Sequence, residues 1–174
     1  MSQKLTVRMV FSAIFAALIC VSTMLVQIPI PATGGYANLG DGVILLCAFM
    51  MPNFWAVAAA GLGSMLADIL TGYLTYAPAT LIIKAGVAWV AGCIFHHRIW
   101  KGNENRRILS IICGGITAEV WMVLGYLFFE AVLLGMGAGA MGGVLGNAGQ
   151  GAVGILVCLA VAPFLKNVQK KWIF

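Results

Sequence analysis

Charged side chains are scarce: Asp, Glu, Lys and Arg make up 9% of the 174 residues, against about 25% in an ordinary soluble domain. So little charge cannot cover a water-exposed surface, which excludes a soluble globular protein. There are five acids against ten bases. The resulting charge of +5 does not point to nucleic acid, and its placement reports topology instead. No CxxC pair and no Cys/His cluster occurs. The cysteines at 20, 47, 93, 113 and 158 lie in or at the ends of apolar runs and read as small apolar residues of a bundle. His96 and His97 are adjacent, so they point apart and read as part of a solvated loop. The runs are too long for barrel strands and show no period-two alternation, which disfavours a β-barrel. Gly137-Ala-Gly139-Ala-Met-Gly142 matches G-x-G-x-x-G in letters alone, because no strand precedes it, and a nucleotide site is rejected.

What is abundant is hydrocarbon: 62% of the residues are hydrophobic and the mean hydropathy is +1.02. The expected fold is an all-α integral membrane protein, a bundle of six transmembrane helices in one domain over 1–174. Spans of about 20 residues are expected at about 7–28, 39–51, 54–71, 77–95, 108–134 and 144–165. The first run is read as a span, since it is too long for a leader and offers no small-residue cleavage site. Pro29, Pro31, Gly34 and Gly35 forbid helix between the first two spans. The second span is only ~20 Å long, short for a hydrocarbon core of ~30 Å, and must tilt or re-enter. The glycine-rich stretch 135–143 is read as a flexible outer loop.

Nine of the ten bases fall in three segments: Lys4 and Arg8; Arg98, Lys101, Arg106 and Arg107; and Lys166, Lys170 and Lys171. The positive-inside rule makes those segments, and hence both termini, cytoplasmic. Trp55, Trp100 and Trp172 fall at the expected interfaces as belt anchors, while Trp89 and Trp121 fall within spans.

The tenth base is Lys84, with no charged neighbour within ten positions on either side. A lone ammonium in hydrocarbon costs roughly 2.5–3.5 kcal/mol or more. Asp68 lies at similar depth on the preceding antiparallel span, so an Asp68–Lys84 ion pair is expected, with Asp41 and Glu119 as rivals. Asp41 is read first as a cap of the second span. Tyr36, Asn38, Lys84, Glu119, Tyr126, Asn147 and Gln150 gather with Glu130 toward the outer half. They predict a polar cavity open to the outside that binds a ligand. The inner halves hold almost nothing polar, which disfavours a channel. On the first span Ala13 and Ala17 form a small-xxx-small pair, with Ser12 and Ala16 alongside. Such a strip lets another helix approach closely.

Residues 38–92 resemble the central block of the substrate-binding S components of energy-coupling factor (ECF) vitamin transporters. The similarity lies in Asn38-Leu39-Gly40-Asp41, Gly61-x-Gly63-Ser64 leading to Ala67-Asp68, Gly72-Tyr73, Tyr76-Ala77-Pro78 and Ile83-Lys84. Ala13 and Ala17 are similar to the family's docking motif. The resemblance implies a vitamin-binding subunit in a prokaryotic plasma membrane. It implies association with a coupling module, made of a transmembrane coupling subunit and two ATPases, and no catalysis by the subunit itself. The block is most similar to the riboflavin-type branch. The modestly aromatic walls suit a small ring, so pyridoxine vitamers or hydroxymethylpyrimidine rank ahead of riboflavin. Two readings from other classes are a membrane enzyme using Asp68, Lys84 and Glu119, and a structural membrane partner without ligand.

Overall fold

A computed structural model describes residues 3–97 and 103–168, the side chains of 166 and 167 excepted. Arg98, Trp100, Lys101, Lys170, Lys171 and Trp172 lie outside the described residues, so the topology and anchor expectations placed on them stand on sequence alone. The chain runs α1 (Gln3–Leu25), β1 (Gln27–Ile30), β2 (Gly35–Asn38), α2 (Gly40–Met50), α3 (Asn53–Thr71), α4 (Ala77–Phe95), α5 (Glu104–Phe128) and α6 (Met141–Val168). A π-helical turn at Phe129–Leu133 and a 3-10 turn at Gly137–Ala140 join α5 to α6. Five of the six helices are long and apolar enough to cross a membrane, and α2 is the short one.

Local chemistry sets these ends. Pro52 precedes α3, Pro78 sits in the first turn of α4, and Gly72 ends α3 in the left-handed region at φ 88°, where a side chain would be strained. The Asn103 side chain accepts the Arg106 N–H at 3.0 Å and caps α5. Helix α1 ends at Leu25, before the expected 28, because Gln27–Ile30 pairs antiparallel with Gly35–Asn38. The six-helix bundle is as expected, and this short hairpin between α1 and α2 is added to it. Pro29 is tolerated because the sheet has two strands, both of them edges. Helix α6 begins at Met141, and the glycine-rich stretch before it is partly helical rather than wholly loop.

Helices α1, α3, α4, α5 and α6 pack in that order, and α2 fills the space between α1, α3, α4 and α6. Ten of its eleven residues are buried. A helix apolar on every side belongs in a core, which is how an element about 16 Å long is accommodated. The other helices turn one face inward. On α1 the buried face is Ser12, Phe15, Ile19 and Thr23, while Val10, Ile14, Leu18 and Val21 are exposed. Close approach fixes the α1–α3 crossing: a Cβ on Gly63 would stand 2.5 Å from the Ala16 carbonyl oxygen. Beside it the Ser12 hydroxyl donates to the Trp55 carbonyl at 3.1 Å. The two small-residue strips on α1 therefore divide. Ser12 and Ala16 face α3, while Ala13 and Ala17 stay exposed.

Candidate functional site

The polar side chains of the hairpin end form two connected layers. In the deeper one Lys84, on α4, is 2% exposed. Its Nζ lies 2.6 and 2.8 Å from the two carboxylate oxygens of Asp41 and 3.0 Å from the sulfur of Met122. Three acceptors match the three N–H groups of an ammonium. The expected Asp68–Lys84 pair is thus corrected to Asp41–Lys84. The reason is lateral: α2 lies at the centre and carries Asp41 in its first turn. Asp41 is not a cap either, since Leu39 holds the cap position and no side chain closes it. Gln150, on α6, donates to Asp41 Oδ2 at 2.5 Å and accepts the Asn38 backbone N–H at 2.6 Å. The Asn38 side chain accepts the Gly40 N–H at 2.8 Å. Asn38, Asp41, Lys84 and Gln150 are therefore spent on one another. Glu119 lies against Gly151, 5% exposed, with neither carboxylate oxygen partnered.

Above this layer is a cavity of about 20 Å³ lined by Ile30, Gly35, Tyr36, Asp68, Tyr76, Thr80, Tyr126, Glu130 and Asn147. Of the expected ligand residues, Tyr36, Tyr126 and Asn147 line it; Asn38, Lys84, Glu119 and Gln150 do not. Asp68, expected as an ion-pair partner, is a wall residue. Tyr76 and Thr80 are absent from the expected set, and Glu130, expected at this end without a ligand role, is a wall residue. Thr80 was findable, being one turn before Lys84 on the same face of α4.

Hydrogen bonds tie the hairpin over this cavity. The Tyr36 hydroxyl donates to Asp68 Oδ1 at 2.5 Å. The Tyr76 hydroxyl lies 2.8 Å from the Thr33 carbonyl and 3.3 Å from Glu130 Oε1. Burial, followed by the hydrogen bond to Asp68, pushes the Tyr36 pKa far up. Burial, then the Glu130 charge, pushes that of Tyr76 up to about 12. Both hydroxyls keep their protons and act as donors. Thr80 and Tyr126 share a hydrogen bond of 3.0 Å across the cavity floor. The turn between the strands closes at Gly34, φ 68°.

At the other end of the bundle His96 is half-buried rather than a solvated loop residue. Its Nε2 lies 3.0 Å from the Ala48 carbonyl and 3.1 Å from that of Met51. It closes the C-terminus of α2 from the end of α4. Among the described residues no His/Cys/Asp/Glu group is arranged to hold a metal ion.

This architecture is shared. The S component of a bacterial ECF transporter superimposes with a TM-score of 0.69 at 20% identity, over 94% of this chain and 98% of that one. In sequence, an uncharacterized protein in a gap 3' region of Pyrococcus woesei is 39% identical over 151 residues, 86% of this chain and 95% of its own. The thiamine precursor transporter HmpT of Lactococcus lactis subsp. cremoris is 26% identical over 168 residues, 96% of this chain and 92% of its own. A family model described as ECF-type riboflavin transporter, S component, matches residues 4–169. Such S components are transporter subunits rather than enzymes, multi-pass proteins of the prokaryotic plasma membrane that bind a vitamin and associate with an ECF module. With nearly its whole length matched, the chain belongs to the ECF-type riboflavin transporter S component family.

Proposed function

We propose that this subunit captures a small heteroaromatic vitamin, a pyridoxine vitamer or hydroxymethylpyrimidine, in the cavity beneath the hairpin. The observation that carries this reading is the concentration of seven polar side chains around one buried space: Tyr36, Asp68, Tyr76, Thr80, Tyr126, Glu130 and Asn147. Three are tyrosines, whose rings stack on planar ligands. The likeness to HmpT, a thiamine precursor transporter, supports a small ring. The description of the matching family favours riboflavin as the second reading.

The hairpin end faces outside and both termini face the cytoplasm, in one membrane domain. The bases near both termini support this orientation. About 20 Å³ holds roughly one water, whereas ligand pockets begin near 300 Å³. Ligand entry therefore requires the hairpin and its tyrosine ties to move. The layer beneath holds Asp41, Lys84 and Gln150 as a floor, and Glu119 borders it. Ala13 and Ala17, exposed on α1, form the docking strip for the transmembrane coupling subunit, which two ATPases drive.

The test is a titration of tryptophan fluorescence on the purified protein in detergent with pyridoxine, pyridoxal, hydroxymethylpyrimidine, thiamine and riboflavin. Saturable quenching by pyridoxine, pyridoxal or hydroxymethylpyrimidine at low-micromolar concentration or below is expected. A response to riboflavin alone favours the second reading. A flat response to all five from folded protein removes the assignment.

A further inference from the structure

Four of the five acids in the chain are buried at the hairpin end: Asp41, Asp68, Glu119 and Glu130 are 1%, 3%, 5% and 3% exposed. The base buried with them, Lys84, is held by Asp41. Asp68 Oδ2, Glu130 Oε2 and both oxygens of Glu119 have no hydrogen-bond partner among the described residues. Asp68 and Glu130 line the cavity. A buried carboxylate oxygen without a donor is expensive, and of the hydroxyls and amides around the cavity the two hairpin-side tyrosines are already engaged on the other oxygens. Tyr36 gives its proton to Asp68 Oδ1, and Tyr76 lies within reach of Thr33 and Glu130 Oε1. The cavity thus presents unsatisfied acceptors and, among the described residues that line it, no cation.

We infer that the cavity selects a nitrogen heteroaromatic ring whose basic nitrogen edge meets the Asp68 and Glu130 carboxyls, and that it rejects phosphorylated forms of the same ring. This rests on the cavity being the vitamin site. A ring N–H, or a ring nitrogen beside an amino group, supplies the donors that the two carboxyls need, in charge-assisted bonds. The tyrosines cover the ring faces. A phosphate ester would bring negative charge against two carboxylates with no free ammonium to balance it.

The experiment titrates the full-length protein in detergent with hydroxymethylpyrimidine and pyridoxine. It then uses the analogue of each with the basic ring nitrogen replaced by C–H, the phosphate ester of each, and riboflavin. Loss of the ring nitrogen should weaken binding about 10-fold or more, the equivalent of one charge-assisted hydrogen bond. The phosphate esters should bind at least about 100-fold more weakly, as like-charge contact predicts. Asp68→Asn and Glu130→Gln, each checked for a monodisperse folded peak, should shrink the gap between ester and parent. A carbocyclic analogue or ester binding within about 3-fold of its parent overturns the inference and leaves the binding-subunit reading intact. With riboflavin as the sole ligand, its phosphate ester binding within about 3-fold of it overturns the inference as well. Absence of all binding by folded protein overturns both.

Discussion

Replacing Lys84 by Met tests the centre of the structure. The side chain keeps its length and loses its charge. Asp41, 1% exposed, is then left with Gln150 as its side-chain donor. Removing one partner of a buried ion pair costs about 3–5 kcal/mol, most of it the stranded charge. That is a large part of the roughly 5–15 kcal/mol typical of a folded domain. The double variant Lys84→Met/Asp41→Asn removes both charges and keeps a hydrogen-bonding group toward Gln150. It should recover about 2–3 kcal/mol of that loss, a coupling typical of contacting residues. Lys84→Met/Asp68→Asn should be additive within about 0.5 kcal/mol. The assay is reversible unfolding in mixed micelles with increasing SDS, followed by circular dichroism. A single variant within about 1 kcal/mol of the wild type, or stronger coupling to Asp68 than to Asp41, would refute the assignment of the ion pair.

Other expectations are as direct. Ala13→Leu/Ala17→Leu should leave vitamin affinity unchanged and abolish uptake in cells expressing the whole transporter; unchanged uptake removes the docking role. Gly63→Ala should destabilise the protein by about 1–3 kcal/mol through overpacking against α1, whereas Gly139→Ala, with open space around it, should be near neutral in the same assay. Tyr36→Phe strands the second oxygen of Asp68 and should loosen the hairpin by about 1–3 kcal/mol. Amide exchange at Tyr36–Asn38 should then accelerate while α2 exchange stays slow; equal protection would show that the Tyr36–Asp68 bond does not hold the hairpin down. Asn103→Ala should cost about 1 kcal/mol through the lost cap, visible as a lower midpoint in the same denaturation.

Helices bounded by strong punctuation were legible. Span four was expected at 77–95 and is Ala77–Phe95, because Pro78 and the polar run from His96 mark both ends. Span three differs by one residue for the same reason: Pro52 and Gly72 are unambiguous. The hairpin was not legible, since its four-residue strands contain Pro29 and lie where prolines and glycines read only as loop. The clustering of polar groups toward one end followed from depth along each span. The partner of Lys84 did not, because depth says nothing about lateral position. Two consecutive helices at equal depth made Asp68 the natural choice, and only the central placement of α2 brings Asp41 to Lys84 instead. His96 reads as a solvated loop residue for the same reason: its carbonyl partners at Ala48 and Met51 are remote in sequence.

Lys84, near the middle of α4, and His96, just past its end, hold opposite ends of another helix. Lys84 grips the first turn of α2 through Asp41, and His96 grips its last carbonyls. Fastened twice to α4, α2 can neither slide nor tilt alone, so the pair behaves as a single strut. Opening the cavity then falls to what is not part of the strut: the hairpin, the end of α1 that leads into it, and the glycine-rich start of α6. A subunit built this way has a stationary wall and a mobile wall, with Asp68 and Glu130 lining the cavity from α3 and from the π-helical turn after α5.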